Sequence, residues 1–231
     1  MVPVYNEVRR LATSLDKIFP YMDARHPGYE VLVVDDGSSD DTVGDAQRRF
    51  GNRPQLRFAA YGGNRGKGYA VRYGIEQARG DLVLFTDADL STPIEELDKL
   101  LAAIGQGADV AIGTRAHRDS DVRVRQPFFR DAGGKLFNAV VRLLLLPDLH
   151  DTQCGFKLCR RAAVLPLVRR MRVDRFAFDV ELLYLAHLHG LSIAEVPVIW
   201  VNSPDSRVRF SQAAAAFVDL VRIRSWHHAA H

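Results

Sequence analysis

The chain has 231 residues, 47% of them hydrophobic and 26% charged, which suits a packed core and excludes a disordered chain. No apolar run nears the roughly 20 residues of a spanning helix, so an integral membrane protein is excluded; the longest, residues 140–146, carries Arg142. Net charge is +3, yet residues 1–111 hold 13 basic and 17 acidic side chains while residues 112–231 hold 18 and 11. The basic second half suits an anionic partner, or is a solvated arginine-rich surface.

The chain opens on Val2-Pro3-Val4-Tyr5-Asn6-Glu7, which reads as the end of a first strand and its loop. Four to six strand residues are expected to be missing before it. Helical spacing follows at 7–23, then a buried strand at 29–35 and a helix at 41–50 with Asp40 or Asp41 as N-cap. Strand 56–60, helix 68–79, strand 81–87, helix 93–105 and strand 108–113 continue the alternation, with Thr92-Pro93 as cap and first-turn proline. Later come an apolar helix at 126–147 (Phe128, Phe129, Phe137, Val140, Val141, Leu144, Leu145), helices at 161–170 and 178–189, a strand at 192–201 and a terminal helix at 210–226. The pattern predicts a single α/β domain over 1–231 with a doubly wound, mostly parallel sheet, binding ligands beyond the carboxyl ends of its strands.

Those ends carry acid. Val34-Asp35-Asp36-Gly37-Ser38 places two carboxylates at one, able to accept from a nucleobase or ribose. Asp87-Ala88-Asp89 follows another, and extended backbone would send Asp87 and Asp89 to the same side. Such a pair suits Mg²⁺ or Mn²⁺ completed by substrate phosphates, or is a cap or turn. Gly62-Gly63-Asn64-Arg65-Gly66-Lys67-Gly68 is a phosphate loop or an ordinary glycine turn, and fails both the P-loop and dinucleotide patterns. Cys154 and Cys159 form neither a disulfide framework nor a zinc site and read as packing residues in a reducing cytosol. No function falls to His187, His189, His227, His228 or His231. The first residues lack the n- and h-regions of a secretory signal.

Together these motifs resemble family 2 glycosyltransferases of the GT-A fold over essentially the whole chain. Within that family they look most like the dolichyl-phosphate β-glucosyltransferases, on Asn64-Arg65-Gly66-Lys67-Gly68, Asp151-Thr152-Gln153-Cys154-Gly155-Phe156-Lys157, Phe176-Ala177-Phe178-Asp179-Val180-Glu181-Leu182-Leu183 and Ile193-Ala194-Glu195-Val196-Pro197-Val198. The resemblance implies a nucleotide-sugar half at 1–111 and an acceptor half at 112–231. It implies that Pro3, Tyr5, Glu7, Val34 and Asp36 hold the uridine, with Lys67 nearby, and that Asp87, Ala88 and Asp89 serve the diphosphate, Asp89 as the firmest metal ligand. Arg115, helped by Arg125 or Arg130, would face the acceptor phosphate, and Arg207 would close over the donor. Asp151 and Asp179 would position sugar hydroxyls, or cap local turns. Asn202 and Ser203 stand where mannosyl relatives carry an arginine.

The implied reaction is inverting transfer of a hexose, most simply glucose from UDP-glucose, to a polyprenyl or dolichyl phosphate. Such a phosphate is largely dianionic at pH 7 and attacks without a general base, in keeping with the absence of a recognisable His–carboxylate pair. Alternatives are GDP-mannose-dependent transfer or a non-catalytic nucleotide- or lipid-sugar-binding protein. A bilayer-resident acceptor implies peripheral association with the cytoplasmic face of a membrane, through helix 126–147 with Arg125, Arg130 and Lys135, unless that helix is core. No nucleic-acid partner is expected.

Overall fold

A computed structural model describes residues 1–124, 128–201 and 210–228, with backbone only for 124, 128–132 and 210–214. The apolar run Val31–Asp35 forms β2, which pairs in parallel with β1 (Val2–Val4) on one side and β3 (Leu56–Ala60) on the other. A second sheet has the order β4-β7-β5-β8, from β4 (Leu82–Thr86), β5 (Val110–Thr114), β7 (Phe156–Arg160) and β8 (Ile193–Pro197). β7 runs antiparallel to both its neighbours, while β5 and β8 are parallel. Met1 joins the two sheets: its N-terminal ammonium donates to Leu84 O at 2.7 Å and its carbonyl accepts from Thr86 N–H at 3.1 Å. β6 (Asp121–Val124) and β9 (Ile199–Val201) form a small parallel ribbon.

Helices cover both faces. Along β4, Val83 and Phe85 enter one apolar layer and Leu82 and Leu84 the other, as period-two alternation requires. The first layer packs against α3 (Lys67–Gln77), α5 (Phe128–Leu144), α6 (Arg161–Val168), α7 (Phe178–Leu188) and α8 (Phe210–His228). α7 is buried all round from Phe178 to Ala186, as a helix hydrophobic on every face must be. The second layer packs against α1 (Leu11–Arg25), α2 (Thr42–Phe50) and, after a 3₁₀ turn at Ile94–Glu96, α4 (Leu97–Gly105).

The predicted α/β alternation holds through the first half, with three corrections beyond it. β7 was not foreseen. The stretch 192–201 is two strands in different sheets, broken at Val198, whose N–H donates to Thr114 O at 3.3 Å. Phe137 and Val141 of α5 and Leu145 just beyond it are core residues, and Phe137 meets Phe217 of α8 edge-on at 5.2 Å, so these side chains cannot touch a membrane. The outward apolar residues are Leu136 and Leu143 on α5, joined by Val218 and Val221 on α8.

β1 reaches only Val33–Asp35 of its neighbour, whereas β3 pairs with all of Val31–Asp35. Beside the start of β1, a largely apolar cavity of about 240 Å³ opens between Val31 and Leu32 of β2 and Leu82 and Leu84 of β4. Burial lowers the pKa of the Met1 ammonium from 8.0 to about 6. This cavity lies at the amino ends of the strands, opposite the acidic edge.

Candidate active site

The loops after β1 and β2 are bolted together by Asn6. Its Oδ1 accepts from Ser39 N–H (2.7 Å) and Asp40 N–H (3.2 Å), and its own N–H donates to Ser38 Oγ (2.9 Å). Glu7 N–H donates to Thr42 Oγ1 at 2.8 Å. Asn6 adopts φ +56°, a conformation asparagine tolerates better than most residues. Pro3 and Val34 sit opposite each other in the sheet and are buried, Val34 completely, so they offer a base no side-chain surface. Tyr5 is exposed beside them.

Asp36 holds the glycine loop. Its carboxylate accepts from Tyr61 O–H (2.9 Å), Asn64 Nδ2 (2.9 Å), Arg65 N–H (2.7 Å) and Gly66 N–H (2.9 Å). Burial and the Asp36 charge raise the Tyr61 pKa, so its phenol stays a donor. Gly37, at φ +73°, lies so close to the Gly63 backbone that a Cβ would collide with it. The loop delivers Lys67 at the start of α3, and Lys67 Nζ lies 2.5 Å from Asp87 Oδ1. Burial opposes the ammonium, but Asp87, Asp179 and Asp89 outweigh it and raise the Lys67 pKa.

Asp87-Ala88-Asp89 is a turn rather than extended backbone: Leu90 N–H donates to Asp87 O at 3.1 Å, and Leu90 has φ +46°. The strand alternation expected for the two carboxylates therefore does not apply, although the Asp89 charge reaches Lys67 as Asp87 does. Ala88 is buried and its carbonyl accepts from Ser14 Oγ at 2.7 Å, which fixes the turn. Asp89 Oδ1 accepts from Ser91 N–H at 3.0 Å, and Oδ2 lies 4.0 Å from Arg10 Nη1. On its other side Asp87 Oδ2 rests against Gly155, where any Cβ would overlap it. Among the described residues no three Asp, Glu, His or Cys side chains gather as a metal cage. Two carboxylates fit a divalent ion that takes its remaining ligands from phosphates and water.

Beneath Lys67 lies a second pair. Lys157 on β7 is fully buried and donates to Asp179 Oδ1 (2.6 Å) and Cys154 O (2.5 Å). Burial raises the Asp179 pKa despite Lys157 and Lys67. Asp179 is thus engaged inside the protein rather than open to a sugar. Burial also pushes the Cys154 thiol up to about 11 and Cys159 up to about 12, in keeping with packing roles.

Asp151 likewise faces inward. It receives Arg115 Nε at 2.7 Å, Nη2 at 2.8 Å and the Arg115 backbone N–H at 2.9 Å. Burial works against both charges, but the pairing prevails, lowering the Asp151 pKa and raising that of Arg115. The guanidinium also lies over the Trp200 ring, 5.3 Å from its centroid. Among the described residues Nη1 makes no hydrogen bond. Glu195 on β8 accepts the N–H groups of His150 (3.0 Å) and Asp151 (2.9 Å), and its Oε2 meets His150 Nδ1 at 2.9 Å. This His–carboxylate pair beside the site was not foreseen. Nor was the buried His227, whose Nε2 meets Glu181 Oε1 at 2.8 Å and docks α8 on α7.

Lys157, Glu195 and Asn6 are the residues that motif reading left without a role. A lone lysine in an apolar strand was the available signal for the first, since buried lysines need partners. Arg125 and Arg207 lie outside the described residues, as do the side chains of Phe128, Phe129 and Arg130.

An α/β sheet with a glycine loop, a short acidic turn and a clamped arginine at its carboxyl edge has the organisation of a GT-A glycosyltransferase. The model of Glycosyl transferase family 2 matches residues 1–165. The chain is 40% identical over 222 residues to dolichyl-phosphate beta-glucosyltransferase of Drosophila melanogaster, covering 90% of this chain and 68% of that protein. Its identity to the human enzyme of the same name is 36%, with the same coverage. Glucosyl-3-phosphoglycerate synthase of Mycobacterium tuberculosis, crystallised with Mn²⁺ and UDP-glucose, shares the fold with a TM-score of 0.71 at 20% identity, over 97% of this chain and 77% of that one. The chain belongs to glycosyl transferase family 2.

Proposed function

We propose that the protein transfers glucose from UDP-glucose to a dolichyl or other polyprenyl phosphate, inverting an α-linked donor to a β-linked lipid-phosphate sugar. The observation that carries this reading is the meeting, at one sheet edge, of an acidic turn with a lysine (Asp87, Asp89, Lys67) and an arginine with an open Nη1 (Arg115). The names of the fly and human relatives support the same donor sugar and acceptor. Residues 1–231 act as one catalytic domain, with 1–111 taking the donor and 112–231 the acceptor.

Each residue has a task in this reading. Tyr5, Glu7 and the Asp36-bound loop bind the nucleotide. Asp87 and Asp89 would hold Mg²⁺ or Mn²⁺, which supplies positive charge to the departing UDP. Arg115, held in orientation by Asp151, draws in the acceptor phosphate, and Arg125, Arg130 and Arg207 add to the cationic surround. An acceptor whose second pKa is about 6 needs no proton removed at pH 7, so His150 is not required as a base. Asp179 acts from below, through Lys157 and Lys67, rather than on a sugar hydroxyl.

The acceptor's prenyl chain places the enzyme at a membrane surface. No described helix is long and apolar enough to cross a bilayer. The outward face of α5 and α8 supports peripheral contact: Leu136, Leu143, Val218 and Val221 are exposed beside Arg142, Arg222 and Arg224. A panel of nucleotide sugars, incubated with a short polyprenyl phosphate and Mn²⁺ and read by lipid extraction, tests the proposal. UDP-glucose should be the preferred donor. Transfer from GDP-mannose alone, or from no donor, would overturn it.

A further inference from the structure

Asp87 is hemmed in on both sides in the folded chain. Oδ1 is bonded to the Lys67 ammonium at 2.5 Å, and Oδ2 is pressed against Gly155. A divalent ion cannot take the Oδ1 position while Lys67 holds it, since two cations at one oxygen repel strongly in a partly enclosed site. The backbone beneath Lys67 cannot yield. Asp36 accepts the Gly66 N–H, a Cβ at Gly66 would strike Asp174 O, and Tyr69 N–H donates to that same carbonyl at 3.1 Å. The lysine side chain, unlike that backbone, is free to move, and a second carboxylate, Asp179, acts on it. Phe178 offers its ring face at 5.8 Å.

We propose that Lys67 is a resident counter-cation of Asp87 that must be displaced for the ion to bind, so that metal and nucleoside diphosphate enter as a coupled pair. This rests on the donor site proposed above. Metal alone has to expel Lys67 toward carboxylates that are already engaged, Asp179 by Lys157 and Asp89 by the incoming ion itself. Metal with a diphosphate gives the displaced ammonium new anionic oxygens. The coupling is reciprocal: each ligand tightens the other by the same factor.

Calorimetric titration of Mn²⁺ without nucleotide, then with saturating UDP, reads this directly and needs no turnover. The wild-type chain should bind Mn²⁺ weakly alone and at least tenfold more tightly with UDP. Lys67→Met should bind Mn²⁺ alone at least tenfold more tightly than wild type, and lose a similar factor of the coupling. Circular dichroism should show that variant folded; if it does not, Lys67→Gln, which keeps a polar neighbour but no charge, takes its place with the same expectation. Equal Mn²⁺ affinity in wild type and the neutral variant overturns the proposal while leaving the metal site standing, as does a wild-type affinity indifferent to UDP. Adding Asp87→Asn to the neutral variant should abolish the gain; its persistence would place the ion elsewhere and overturn both readings. Absence of Mn²⁺ binding in every sample, with or without UDP, would sink the metal assignment itself and this proposal with it.

Discussion

Asp151 grips Arg115 with both carboxylate oxygens, receiving Nε at 2.7 Å and Nη2 at 2.8 Å across 36 residues of sequence. Two residues that motif reading assigned to different substrates are one unit. Arg115→Ala should raise the acceptor KM or lower kcat while leaving UDP–Mn²⁺ affinity within tenfold of wild type. It should also destabilise the fold by about 3–5 kcal/mol, because Asp151 would remain buried with only backbone donors. Chemical denaturation and calorimetry measure the two effects separately. A loss of UDP affinity beyond tenfold would move Arg115 to the donor side.

His150 tests the nature of the acceptor. A general base is worth roughly 10²–10⁴-fold in rate, whereas an attacking phosphate dianion needs none. His150→Ala should therefore keep kcat within about fivefold of wild type. The acid limb of kcat/KM should sit near pH 6 and follow the acceptor's own second ionisation, which a phosphonate analogue of shifted pKa would reveal. A limb that stays fixed when the acceptor is changed would point to an enzyme base instead.

Asp89→Ala should abolish transfer, by roughly 10²-fold or more, with little change in melting temperature, since a partly exposed turn carboxylate adds little to the core. Near wild-type turnover in the presence of metal would remove Asp89 from the site.

Gly155→Ala should act on the neighbouring carboxylate from outside. The new Cβ would displace the end of the Asp87 side chain, which can rotate away at small cost to the fold. Activity and Mn²⁺ binding in the presence of UDP should fall together while the melting temperature stays within a few degrees. Unchanged Mn²⁺ binding would show that Asp87 is dispensable.

The slot beside β1 gives a prediction with a pH signature. The Met1 ammonium has its pKa lowered from 8.0 to about 6 by burial, so between those values the unfolded chain binds more protons than the folded one. This contribution is fully present above pH 8 and lost as pH falls through 6, a swing of about 2–3 kcal/mol. Placing about six apolar β-formers before Val2 should fill the cavity, raise the melting temperature, strengthen UDP binding and flatten that pH dependence, because the amine becomes an amide. Liposome association should not change. An extension that alters neither stability nor UDP affinity would show that the slot is indifferent to a longer β1.

How much of this was legible in the sequence depended on burial and on distance along the chain. β2 was plain because a strand covered on both faces is an unbroken apolar run, Val31 to Val34. β7 was hidden because Phe156–Arg160 carries two cations whose partners lie far away: Lys157 pairs with Asp179, and Arg160 donates to Ala108 O and Ile104 O. The acidic turn, the glycine loop and Arg115 could be found as motifs. Their partners could not, because Asp36 with Tyr61, Asp151 with Arg115 and Glu195 with His150 meet only once the sheet sets their register. Helix 126–147 was ambiguous for another reason. Its apolar residues serve the core on one side and face outward on the other, which composition alone does not separate.

The position of β1 has a consequence for biosynthesis. β1 lies between β2 and β4 in the finished structure, and its seam to β4 requires Leu84 and Thr86. At about 5–20 residues per second, roughly 4–17 s of synthesis separate Met1 from the strand that completes its pairing, and β7 follows later still. During that interval Val2 and Val4 emerge with one edge unsatisfied. The segment left waiting for its partner is therefore the one whose following loop carries Tyr5, Asn6 and Glu7 at the candidate site.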